Sequence, residues 1–133
     1  MVNFDLPYTL SGVSEQHYYG TGLIIDAKKG FILVDRNTVP IAMGDVRITF
    51  AGSLEIDGQV EYIHPLHNLA VVSYDPSLIG NTPVKTASFN TKPLVSGQNV
   101  LVVGLKMDHQ LAHQESNVSS IGPITIPLSR TVR

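Results

Sequence analysis

The chain has no cysteine. That excludes a disulfide framework, a thiol nucleophile and thiolate metal ligation, and it assigns no compartment. Charge is sparse and almost balanced, with nine basic against eleven acidic residues for a net charge of −2. The basic residues form no stripe, so no nucleic-acid partner is expected. Uninterrupted apolar runs stop at about four or five residues, where a membrane-spanning helix needs about 20. No membrane partner is expected either. The opening Met1-Val2-Asn3-Phe4-Asp5 lacks a basic stretch leading into an apolar one, so it does not read as a secretory signal. No window sustains the 3.6-residue period of an amphipathic helix. What remains is a chain of 133 residues that is 43% hydrophobic, enough for one domain with a real core.

The apolar runs are short, β-branched and separated by turn residues. Tyr18 to Ile25 reads as a strand interrupted by Gly20 and Gly22, and Phe31 to Val34 as another. Val46, Ile48 and Phe50 alternate with Arg47 and Thr49, the period-2 sign of a half-buried strand. Gln59 to Ile63, Leu69 to Tyr74 and Val100 to Val103 complete the set. Spacings of roughly 8–14 residues with Gly, Asp, Asn and Pro at the breaks predict an all-β chain, an antiparallel barrel or sandwich. The expected core is Leu23, Ile25, Leu33, Val46, Ile48, Phe50, Val60, Leu69, Val71, Leu101 and Val103. Closely spaced glycines at a barrel bend account for Gly20-x-Gly22 better than a phosphate loop, since no helix pattern follows.

Several stretches resemble the HtrA/Deg type of trypsin-like serine protease, in that family's order. They are Gly20 to Ile25, Gly30 to Val39, Asp45 to Phe50, Asn68 to Val72 and Ser96 to Gly104. Val34 to Pro40 and Tyr62 to Pro76 are similar, more narrowly, to the degenerate second protease unit of the long fungal and plant HtrA/Deg proteins. Those proteins carry two trypsin-like units in tandem plus PDZ domains. The resemblance implies an antiparallel six- to seven-stranded barrel, one half of a two-barrel fold. Residues 1–17 would be an N-terminal extension, 18–105 the barrel, 106–120 a polar linker and 121–133 the start of a second barrel or a tail. In that tail Ile124, Ile126 and Leu128 alternate, and an unpaired strand there would promote self-association.

The resemblance places Asn37 where the family has its catalytic histidine and Asn68 where it has the aspartate. An amide is not basic near neutral pH, so Asn37 cannot take the proton of a serine nucleophile. In trypsin, aspartate to asparagine alone costs roughly 10⁴ in turnover. No Gly-x-Ser-x-Gly occurs in the chain. No catalytic residue is therefore assigned. Among stand-ins, His67 would face away from Asn68 on a strand, His64 is followed by Pro65, and Asp35 shares the face of Asn37. The pairs His64/His67 and His109/His113 have ligand-like spacing, but two histidines do not make a metal site, and exposed loop histidines are the simpler reading. No metal and no cofactor is expected. Asn117-Val118-Ser119 is a glycosylation sequon with meaning only in a secretory setting.

The leading expectation is a non-catalytic protease-like module that supports architecture, partner binding or regulation in a larger protein. One alternative is a fragment of an active serine endopeptidase whose nucleophile lies outside this chain. The other is a module that captures extended peptides at a strand edge. The implied partners are other domains of a parent chain (a second barrel, PDZ domains, an active protease unit), with peptides or misfolded protein as candidates and a homo-oligomer as a further option. The compartment would be periplasmic for a bacterial parent and nuclear for a fungal one.

Overall fold

The computed structural model describes residues 1–6 and 17–123. Nine strands follow in order: β1 (Val2–Asp5), β2 (His17–Gly20), β3 (Leu23–Asp26), β4 (Phe31–Val34), β5 (Asp45–Phe50), β6 (Leu54–Ile63), β7 (Ala70–Tyr74), β8 (Asn99–Leu105) and β9 (Leu111–Asn117). Among the described residues one 3₁₀ turn, Pro76–Ile79, follows β7, with the Asp75 side chain accepting from the Ser77 amide at its start. Strands β1 to β7 form one antiparallel sheet in the order β2-β1-β5-β6-β7-β4-β3, and β8 pairs only with β9. The sheet curls into a half-barrel.

Its two end strands, β2 and β3, are one stretch of chain bent at Gly20-Thr21-Gly22. The bend needs both glycines. A β-carbon on Gly20 would collide with the Thr38 side chain, and one on Gly22 with Ile32 and Val2. This is the close backbone approach that glycine in a strand permits.

The core lies inside the curl. Val2, Phe4, Tyr18, Ile32, Val34, Val39, Val46, Ile48, Ala70, Val72 and Tyr74 are all buried in one cluster. Strand β5 meets the expectation: Val46, Ile48 and Phe50 are all buried. Strands β4 and β7 do so one residue out of step. Ile32, Val34, Ala70 and Val72 face inward, whereas Leu33 and Val71 are half-buried opposite one another on the outer face. Both strands are apolar on both faces, so the sequence carries no alternation from which to set their register. Ile25 falls where the β3–β4 pairing slips, which leaves it half-buried. Leu23, Leu101 and Val103 are exposed.

Two further stretches differ from the expected layout. Residues 2–5, inside the expected extension, form a strand between β2 and β5, with Phe4 fully buried. The alternation Val2-Asn3-Phe4-Asp5 explains why: it puts two apolar side chains on the core face and two polar ones outside. The polar stretch read as a linker contains β9, whose seven residues pair in register with β8, so β8 lies outside the barrel sheet. The expectations for Ile124, Ile126 and Leu128 lie outside the described residues.

On the outer face of β1 and β5, Asp5 binds His17 at 2.5 Å and also the Arg47 guanidinium. Arg47 reaches Glu55 at 3.5 Å. Burial alone would raise the Asp5 pKa, but hydrogen bonds from His17 and Arg47 outweigh it and hold the carboxyl below its ordinary value of 3.8.

Candidate functional site

Two loops meet at one end of the sheet. The first leaves β4 through Asp35-Arg36-Asn37-Thr38 and is anchored by Val39, which is completely buried. Asp35 organises this turn. Its carbonyl accepts from the Thr38 and Val39 amides at 3.2 and 3.3 Å. Its carboxylate accepts from the Asn37 amide at 3.2 Å and from the Thr38 hydroxyl. Such local bonds are the usual work of Asp at the start of a turn. They leave the Asn37 side chain exposed on the crown of the turn.

The second loop connects β6 to β7 through residues 64–69. His64 holds it in shape: its Nδ1 accepts from the Leu66 and His67 amides at 3.1 and 2.9 Å, and its own amide donates to the Leu69 carbonyl at 3.0 Å. Asn68 is half-buried, and its Oδ1 accepts from the Arg36 amide at 3.1 Å. The Arg36 guanidinium donates to the Pro65 carbonyl at 3.3 Å. The structure thus brings Asn68 to the residue immediately before Asn37. The link runs through backbone, with the Asn68 amide oxygen engaged by Arg36.

The chemistry of this arrangement is that of hydrogen-bonded amides. With Nδ1 of His64 accepting two amide protons, the neutral ring carries its proton on Nε2, so neither nitrogen offers a lone pair outward. That removes His64 as a base or metal ligand in this geometry. The His67 ring is exposed and lies 4.5 Å from that of His64, centroid to centroid. Residues 65–68 are bends rather than strand, so the facing argument from strand alternation does not apply to His67. Among the described residues no group of three or more His, Cys, Asp or Glu side chains is placed to hold a metal ion. His109 and His113 belong to the separate β8–β9 hairpin. His109 occupies a left-handed conformation (φ 65°) in its turn, and His113 is exposed on β9.

Sequence reasoning missed the positioning roles of Asp35 and His64. The signal for Asp35 was available in Asp35-x-x-Thr38, a pattern typical of a capped turn. The signal for His64 was not, because its partners are backbone amides that any residue supplies.

The curled sheet is that of a trypsin-like protease domain, and the chain is similar in sequence to HtrA-type serine proteases. In particular, its homologues are the fungal Nma111 proteins. The chain is 36% identical over 126 residues to the "Pro-apoptotic serine protease NMA111" of Yarrowia lipolytica, covering 95% of this chain and 13% of that protein. It is 35% identical, with the same coverage of this chain, to the corresponding protein of Aspergillus clavatus, of which it covers 12%. The chain therefore spans about an eighth of the length of these relatives. Among solved structures it resembles the MamO protease domain of Magnetospirillum magneticum, with a TM-score of 0.59 and 18% identity, over 97% of this chain and 66% of that one. That likeness concerns the fold alone. No family model matches the chain.

Proposed function

We propose that this chain is a non-catalytic trypsin-like module of a larger HtrA/Deg-type protein, with a structural, partner-binding or regulatory role. The observation that carries the reading is the pair of amides at the crown of the half-barrel. Asn37 stands where the family resemblance puts the general base, and Asn68 hydrogen-bonds backbone instead of orienting an imidazole. Neither amide can accept a proton from a serine and return it to a leaving amine. Proteolysis by the whole protein would then fall to another unit of the parent chain, as the names of the relatives suggest. The alternative keeps this unit as part of an active endopeptidase with its nucleophile elsewhere. The relatives are fungal, which favours a nuclear compartment under the expectation above.

The test is peptidase activity of the purified chain on casein and on small ester substrates. No turnover is expected, and none from Asn37→His combined with Asn68→Asp, because nucleophile and oxyanion hole are not restored by those changes. Turnover above background that a substitution within residues 1–133 abolishes would overturn the reading.

A further inference from the structure

We infer that Thr82 is a phosphorylation site for a protein kinase that reads a hydroxyl residue followed by proline, with a cation two residues beyond the proline. The sequence there is Thr82-Pro83-Val84-Lys85, and no other serine or threonine of the chain precedes a proline. Both flanking features have a physical use. Proline has no N–H, so it enters an apolar pocket without leaving a donor unpaired there, as any other residue would. Its ring also disfavours helical backbone at Thr82 and keeps the acceptor residue extended. The Lys85 ammonium offers a charge to an acidic group beside such a pocket, the kind of charge pattern by which kinases choose substrates.

The fold leaves this stretch outside its sheets. Residues 82–91 belong to no strand or helix. Thr82 follows the 3₁₀ turn, and its N–H donates to the Ile79 carbonyl at 3.1 Å. Its hydroxyl has no hydrogen-bond partner among the described residues. Thr82 is half-buried, and Pro83 and Lys85 are exposed. Thr38, Thr49 and Ser73, by contrast, are buried. Beyond Pro83 the chain lies as a strap along β3. Val84 packs against the core cluster, Thr86 Oγ1 accepts from the Ala27 amide at 2.9 Å, and the Ala87 amide donates to the Ile24 carbonyl at 2.8 Å. A kinase cleft takes its substrate extended, so residues 82–85 must lift from the barrel. Two hydrogen bonds and one half-buried valine oppose that, which makes it a local opening with the sheet intact. In the reaction, Thr82 Oγ attacks the γ-phosphorus of ATP and forms a new P–O bond. The bond from that phosphorus to the β,γ-bridging oxygen breaks, ADP leaves with the electron pair, and the hydroxyl proton passes to the kinase's aspartate. The product adds a charge of about −1.5 to −2 to the connection between half-barrel and hairpin. A catalytically active half-barrel would carry this site equally well.

The full chain incubated with a purified cyclin-dependent kinase and radiolabelled ATP tests this, with the modified residue located by mass spectrometry. One phosphate per chain is expected, on Thr82. Thr82→Ala and Pro83→Ala should abolish uptake, and Lys85→Ala should slow it. Thr86→Ala removes the acceptor of the Ala27 amide, loosens the strap and should speed it. Circular dichroism of each variant checks that the sheet is intact. No uptake by the folded chain would overturn the inference, even where a free peptide of residues 78–90 is modified, since the strap would then not open. So would uptake that Thr82→Ala leaves unchanged, which would place the phosphate on another hydroxyl.

Discussion

At the scale of single residues, the half-barrel's crown is held by side chains acting on backbone. Asn68 is the clearest case. Its amide oxygen satisfies the Arg36 N–H across two loops that are otherwise joined by one arginine contact to Pro65. Asn68→Ala should therefore cost about 1 kcal/mol in denaturant unfolding, the usual net worth of such a bond. Asn68→Asp, which keeps an acceptor at the same place, should cost less. Equal losses for the two would show that packing, not the acceptor, is what matters. Asp5 gives a second test. Its folded pKa is depressed, so it contributes stability that is present above its ordinary value of 3.8 and is lost as pH falls through the lower folded value. The stability gap between the natural chain and Asp5→Asn should accordingly be full near neutrality and close on the acid side of pH 3.8. A gap that persists unchanged into acid would exclude the His17 and Arg47 contacts as its source. Legible in the sequence were β4 and β7, the apolar strands that flank the two asparagines. The hydrogen bonds of those asparagines were not, because the Arg36 N–H that Asn68 binds has no letter in the sequence.

At the scale of elements, legibility followed the contrast between faces. In β5 polar and apolar residues alternate, and its core residues are read correctly from that alone. In β4 and β7 every position is apolar or small, and the inward set was read one residue off. Strand β1 alternates as cleanly as β5, yet four residues at the start of a chain invite no pairing partner until the sheet is seen. The energetic consequence is direct. Phe4→Ala removes a completely buried ring from a strand that bridges β2 and β5, and should destabilise by about 3–5 kcal/mol. Leu33→Ala, on the outer face and only half-buried, should cost well under half as much. Thermal or urea unfolding of the two variants checks the register. A larger loss at Leu33 than at Phe4 would mean that β4 is turned the other way.

At the scale of the whole molecule, no residue pattern foretells that β8 leaves the barrel and pairs with a stretch as polar as Leu111–Asn117. The hairpin touches the half-barrel at Thr21 and near Gly52, where a β-carbon would stand 3.6 Å from His109 Cβ. The bend at Gly20-Thr21-Gly22 thus serves two structures at once. It folds a continuous strand back so that the same chain ends the sheet on both sides, and its threonine receives the hairpin. A sheet terminated in this way has a seam in place of two separate rims. A circular permutant opened between Thr21 and Gly22 would turn the seam into two loose rims, freeing β2 and β3 to peel apart independently. Gly20-Thr21-Gly22 is therefore the covalent pin that holds the two ends of the half-barrel sheet to one another.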